Sequence, residues 1–173
     1  MKLLIVVDMQ RDFVTGALGT EEARAIVPAV KARMEEATRD DWNLVFTMDL
    51  HDADYLNTQE GKLLPVPHCL KSRDGWTIIP ELKELYIGWP VFEKHAFGSL
   101  ELAEYCRQMQ PEEIELVGLC TDICVISNAL LVKAACPETP VSVRAGCCAG
   151  VTPESHRRAL EAMRACQVHI IEE

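Results

Sequence analysis

Short runs of apolar residues recur along the chain, each closed by a polar one. Leu3-Leu4-Ile5-Val6-Val7 stops at Asp8, and Leu44-Val45-Phe46-Thr47-Met48 stops at Asp49. Pro90-Val91-Phe92 runs into Glu93-Lys94, and Ile114-Glu115-Leu116-Val117 into Gly118. Val141-Ser142-Val143 ends near Arg144, and Val168-His169-Ile170-Ile171 is the last such run. Near-continuous apolar runs of this length suit strands covered on both faces. Between them the period changes. Glu21 to Ala37 places apolar residues at 23, 26, 27, 30 and 34, one helical stripe. Ser99 to Met109 begins with a capping serine, and Thr121 to Ala135 is long and apolar. Thr152-Pro153-Glu154 opens a helix reaching about Ala165, with a capping threonine, a proline at the first helical position and an acid at the positive end of the dipole. Strands alternating with helices predict βαβ units. The expected fold is α/β: a doubly wound, mostly parallel six-stranded sheet with helices on both faces, in a single domain over residues 1–173.

The segment from Leu50 to Gly75 breaks the alternation. Asp, His, Pro and Gly are scattered through it, and a loop that long in a compact domain is usually functional or disordered. Ligands of open parallel sheets bind beyond the carboxyl ends of the strands. Asp8, Asp49, His51, Lys94 and the turn 118–124 all fall on that edge.

Composition acts mainly by exclusion. The 173 residues are 49% hydrophobic and 25% charged, an ordinary globular balance. Asp+Glu number 27 against 17 Lys+Arg, a formal net charge of -10 that repels phosphate backbones and anionic lipid. Nucleic acid and membrane surfaces are therefore not expected partners. No apolar run approaches the ~20 residues that cross a bilayer, and the opening strand is too short for a signal sequence. The eight cysteines, several in apolar contexts, read as reduced and mostly buried thiols of a cytoplasmic protein. The nine glycines contain no G-x-G-x-x-G, so the sheet gives no support for a bound dinucleotide.

Gly118 to Cys124 follows a buried strand and opens a helix, which puts Cys124 in the first helical turn. The helix dipole there favours thiolate, and free backbone N–H groups can hold an oxyanion. A cysteine in an apolar helix is more often simply packed, and Asp8 and Lys94, taken singly, are more often solvated strand ends. Together on one edge, an acid and a base beside a thiol can move its proton. Asp49 and His51, two apart in extended chain, point to one side, and His68 arrives later in the same loop. One carboxylate and two imidazoles suit zinc, iron or manganese, with Glu60 as a further candidate ligand.

These residues form a set that resembles the isochorismatase-like cysteine hydrolases, and within them the nicotinamidase-related amidases. The resemblance rests on Val7-Asp8-Met9-Gln10-Arg11-Asp12-Phe13, Thr47-Met48-Asp49-Leu50-His51, Pro67-His68-Cys69, Phe92-Glu93-Lys94-His95-Ala96-Phe97 and Gly118 through Val125, in that order. It implies a catalytic triad of Asp8, Lys94 and Cys124 and a cis Leu119–Cys120 bond. It also implies an oxyanion hole from the amides of Cys120 and Cys124, metal ligands Asp49, His51 and His68, and Phe13 as a pocket wall. The implied reaction is cleavage of a small, nicotinamide-like carboxamide through a thioester, with a divalent metal, zinc before manganese or iron, and a homo-oligomeric assembly. The chain departs from the pattern where Pro65 replaces a common aromatic and where Lys71-Ser72-Arg73-Asp74-Gly75-Trp76 replaces a common Gly-Thr. Trp76 is the candidate replacement for the pocket wall. Other small amides or carbamoyl compounds, and a catalytically silent binding module, remain the alternative readings.

Overall fold

The computed structural model describes residues 1–172. Its strands are β1 (Lys2–Val7), β2 (Asn43–Asp49), β3 (Val91–Lys94), β4 (Glu113–Leu119), β5 (Val141–Ala149) and β6 (His169–Ile171). They form one six-stranded sheet in the order β3-β2-β1-β4-β5-β6, and every pairing is parallel. The helices are α1 (Arg11–Val14), α2 (Glu21–Ala25), α3 (Val27–Arg39), α4 (Gln59–Leu63), α5 (Lys83–Tyr86), α6 (Leu100–Met109), α7 (Ile126–Ala135) and α8 (Pro153–Ala165). None is long and apolar enough to cross a membrane.

The apolar runs follow from this layering. Along β1, Leu4 and Val6 enter one core with Val30 and Met34 of α3. Leu3, Ile5 and Val7 enter the other, with Leu102 of α6, Ala129 of α7 and Met163 of α8. A strand buried on both faces has no polar side to show, so its sequence does not alternate. Away from the strand ends a charge is also buried: Glu115 of β4 takes paired hydrogen bonds from Arg33 of α3 and Arg144 of β5.

Three elements differ from expectation. The helix expected over 21–37 is two, divided at Ile26, with Pro28 in the first turn of α3. Proline has no N–H to bond backwards and its ring crowds the preceding turn, so it starts a helix rather than continuing one. β5 continues six residues past Val143, through small and partly exposed positions and past a register shift against β4, which hides its periodicity. The 50–75 segment contains short turns, at Tyr55–Asn57 and Asp74–Trp76, and α4.

Strand order reverses between β1 and β4, and a crevice opens there beyond the carboxyl ends. Gly118 makes the close approach at its base: it has φ +116°, and a Cβ would stand 2.1 Å from the Val7 carbonyl oxygen. Only glycine fits.

Candidate active site and metal centre

Asp8 follows β1 and turns the chain with φ 47°, in the left-handed region. That conformation costs an L-residue roughly 1–2 kcal/mol, and it turns the carboxylate into the crevice. Asp8 Oδ1 accepts a 2.6 Å hydrogen bond from Thr47 Oγ1. Its Oδ2 lies 2.7 Å from Lys94 Nζ, at the end of β3. The same ammonium is 3.2 Å from Asp49 Oδ1 and 3.4 Å from Cys124 Sγ. Asp8, Asp49, Lys94 and Cys124 are all buried. The structure thus brings the three residues of the expected triad into one cluster, supplied by the ends of β1 and β3 and the turn after β4.

Burial pushes the Cys124 thiol well up, and the Asp8 carboxylate adds to this, while Lys94 opposes. Burial likewise raises Asp8, against the attraction of Lys94. For Lys94, burial pulls the other way and the surrounding anions prevail, so the ammonium stays charged. Burial and the Asp8 carboxylate thus favour the thiol, against the pull of the helix terminus toward thiolate. Asp8 is close enough to accept the thiol proton.

Cys124 stands in a π-type turn, Thr121–Val125, that precedes α7. Such turns appear often at functional sites. The Leu119–Cys120 peptide bond is cis. Buried Asn128 ties the turn to the segment after β3: its Nδ2 donates to the Cys124 and Phe97 carbonyls, and its Oδ1 accepts from Ser99 N.

Beside the triad, Asp49, His51, Glu60 and His68 bring one ligand atom each to within 4.8 Å of one another. Asp49 Oδ2 is 2.9 Å from His51 Nε2 and 3.4 Å from His68 Nε2. Glu60 Oε1 is 3.6 Å from both imidazole nitrogens. His68 Nδ1 lies 2.8 Å from the Val66 carbonyl, which can only accept, so this nitrogen carries the proton and Nε2 offers its lone pair. Burial acts to raise the Asp49 carboxyl, but the adjacent His51 and His68 imidazoles, with Lys94, hold it well below the usual range. Burial also acts to lower His68, and Asp49 and the Val66 carbonyl outweigh it. Two carboxylates and two imidazoles converging with acceptors face to face repel one another unless a cation stands between them. The donor set fits a divalent metal.

The thiol opens into a cavity of about 230 Å³, walled by Phe13, Leu18, Leu64, Phe97, Ile123 and Val151, with Asp49, Glu60 and His68 at one side. Glu60, Leu64, Phe97 and Ile123 also border a wider outer depression of about 520 Å³. Phe13 lines this cavity, its ring 5.5 Å from that of His68. Cys120 also lines the cavity. Trp76 does not: it borders a separate depression with Arg11, Tyr86 and Glu93, because the Asp74–Trp76 turn packs beside α1. Sequence reasoning missed Thr47, Asn128 and Gln10. Gln10 is fully buried, its amide donating to the Asp49 carbonyl at 2.9 Å and accepting from Asp49 N at 2.8 Å.

Comparison with known proteins agrees with this geometry. The isochorismatase domain profile matches residues 2–173. The nicotinamidase/pyrazinamidase of Mycobacterium tuberculosis is 29% identical over 186 residues, covering 99% of this chain and 98% of its own. The structure is similar to that of the nicotinamidase/pyrazinamidase of Bacillus subtilis, with a TM-score of 0.88, 28% identity and 99% of each chain covered. The pyrazinamidase of Pyrococcus horikoshii, solved in complex with zinc, gives 0.84 at 27% identity, again over 99% of each chain.

Proposed function

Since the chain belongs to the isochorismatase family and is a hydrolase of amide C–N bonds within its nicotinamidase-related branch, we propose that it cleaves a small, uncharged, nicotinamide-like carboxamide to the acid and ammonia through a thioester on Cys124. The observation that carries this reading is the triad itself. Sulfur, ammonium and carboxylate meet within 3.4 Å of Lys94 Nζ, at the wall of a cavity sized for one small ring.

In the first half-reaction Asp8 takes the Cys124 proton as sulfur attacks the amide carbonyl. Lys94 holds its charge against both partners, so the proton moves without leaving an unpaired buried anion. Backbone N–H groups of Cys120 and Cys124 hold the oxyanion. Asp8 then gives the proton to the departing nitrogen as the C–N bond breaks, and ammonia leaves. In the second half-reaction Asp8 takes a proton from water, water attacks the thioester, and the thiol returns as the acid departs. Covalent catalysis thus divides one difficult hydrolysis into two easier steps.

Asp49, His51, Glu60 and His68 are the residues that would hold a divalent ion, for which imidazole and carboxylate donors favour zinc, with manganese and iron as alternatives. Such an ion would supply Lewis acidity toward a ring nitrogen or a water oxygen.

The cavity also selects among amides. At about 230 Å³ it lies below the range of roughly 300–1,000 Å³ typical for drug-sized ligands. Its walls carry carboxylates and no arginine or lysine. A carbamoyl amino acid would bring a carboxylate that no cationic side chain of the cavity wall pairs, which favours neutral carboxamides. The test is ammonia release from nicotinamide, pyrazinamide, small aliphatic amides and carbamoyl amino acids. Nicotinamide or pyrazinamide should lead the panel, and Cys124→Ala and Asp8→Asn should lose release. Full activity in either variant overturns the mechanism, and a carbamoyl amino acid as best substrate overturns the substrate class.

A further inference from the structure

Asp12 lies outside the triad and the ligand cluster, yet its carboxylate reaches the loop that carries His68. Asp12 Oδ2 accepts a 2.8 Å hydrogen bond from the backbone N–H of Cys69, fifty-seven residues away and adjacent to His68. Cys69 is fully buried and has φ 45°, a left-handed conformation that costs an L-residue roughly 1–2 kcal/mol. An acceptor on its N–H offsets that cost. The other side of Cys69 is also engaged, since its carbonyl accepts from His51 N at 3.0 Å. One residue therefore stands between the two histidine ligands, held by Asp12 on one side and by His51 on the other.

The seat of the Asp12 carboxylate is built from one glycine on each of two separate loops. A Cβ on Gly75 would stand 2.2 Å from Asp12 Oδ2, and one on Gly16 would stand 2.3 Å from Oδ1. At Gly75 all three nearest atoms belong to the Asp12 carboxyl group, so glycine there clears space for this group in particular. Asp12 Oδ1 also accepts from Ala17 N at 3.3 Å.

We infer that Asp12 is a positioning residue for the metal centre: it fixes the Cys69 peptide and through it the direction of His68 Nε2 and the spacing of His68 from His51. The inference rests on the metal reading above. It acts through hydrogen-bond acceptance, so any acceptor of the same reach should serve. Removing an outer partner of a metal ligand typically weakens affinity 10–100-fold.

The experiment measures zinc affinity of the metal-stripped protein by competition with a chromophoric chelator, and hydrogen exchange at the Cys69 amide. Asp12→Ala should bind zinc 10–100-fold more weakly and exchange faster at Cys69, by the same magnitude argument. Asp12→Asn keeps an acceptor for Cys69 N, gives up only the longer 3.3 Å bond from Ala17 N, and should stay within about threefold of the parent, less than the smallest loss expected for an outer partner. Gly75→Ala leaves Asp12 in place but displaces its carboxylate, and should resemble Asp12→Ala. If Asp12→Ala does not fold, Gly75→Ala decides the matter. Parental zinc affinity in the alanine variants, or an Asp12→Asn as weak as Asp12→Ala, overturns the inference. A parent protein that binds neither zinc, manganese nor iron overturns the metal reading itself, and this inference with it.

Discussion

Replacing Glu115 by Gln should destabilise the fold more than a surface change can. Glu115 is 1% exposed, and Arg33, 6% exposed, reaches it through Nε at 2.9 Å and Nη2 at 3.1 Å. Arg144 adds bonds of 2.7 and 3.3 Å. The Arg33 guanidinium also lies 4.6 Å over the Trp42 ring, so apolar matter closes its other side. Breaking a buried pair by removing one charge typically costs about 3–5 kcal/mol, because the remaining ion is left uncompensated. Arg33 keeps a 3.3 Å contact to the exposed Glu36, which argues for the lower end. A loss of about 3 kcal/mol corresponds to a Tm drop of roughly 6–12 °C for a chain of this size. Burial raises the Glu115 carboxyl, but hydrogen bonds from Arg33 and Arg144 outweigh it and hold it below the usual glutamate range. With its folded pKa depressed, Glu115 contributes stability above the unfolded value, near ~4.3, and loses it as pH falls through the folded value. The gap between parent and Glu115→Gln should thus be constant near neutrality and close progressively below about pH 4. Thermal unfolding followed by circular dichroism across pH 3–8 measures both. The double variant Arg33→Met with Glu115→Leu removes both deeply buried charges and should recover most of the loss. A Glu115→Gln variant within about 2 °C of the parent, at the slope cited, would refute the reasoning.

Other outcomes follow from the site. Lys94→Met removes the only cation touching Asp8, Asp49 and Cys124 among the described residues. In steady-state kinetics kcat should fall by about 10²–10⁴ with KM less affected; retention of kcat would exclude Lys94 from the chemistry. Stripping the metal with a chelator should lower both activity and Tm. Restoring zinc at about 100 times its Kd should return about 2.7 kcal/mol of stability, read as a Tm rise that is absent in His68→Ala.

The site was legible where strand ends carry it. Asp8, Asp49 and Lys94 each close an apolar run, and a parallel sheet brings such ends to one edge whatever the intervening loops do. Cys124 could be placed at a helix entrance for the same reason, but not its state of protonation. That depends on burial and on a carboxylate from another strand, neither of which is a local property. Pro28 did announce the break at Ile26, and the apolar stripe running through it concealed the signal. Trp76 was misplaced because its position rests on how the Asp74–Trp76 turn packs against α1, and residues 70–76 carry no periodicity from which to read that. Thr47, Gln10 and Asp12 act through hydrogen bonds spanning 39 to 57 residues, and no spacing rule connects such partners in advance.

The two halves of the site meet in Asp49, one of whose oxygens faces Lys94 while the other faces both histidines. Around that carboxylate the charges do not balance. Asp8, Asp49 and Glu60 bring three acids and Lys94 one ammonium, with the thiol neutral. With neutral imidazoles the sum is a surplus of two negative charges in a largely buried cluster, which carries a penalty of several kcal/mol per unpaired ion. Protonating His68, whose pKa is raised, relieves one unit of the surplus and uses up the lone pair that a ligand needs. A bound divalent cation relieves both units and leaves the imidazoles neutral. The same charge count thus argues for a doubly charged metal and against a monovalent ion. A divalent ion would act electrostatically on Asp49, and through it on Lys94 between Asp8 and Cys124.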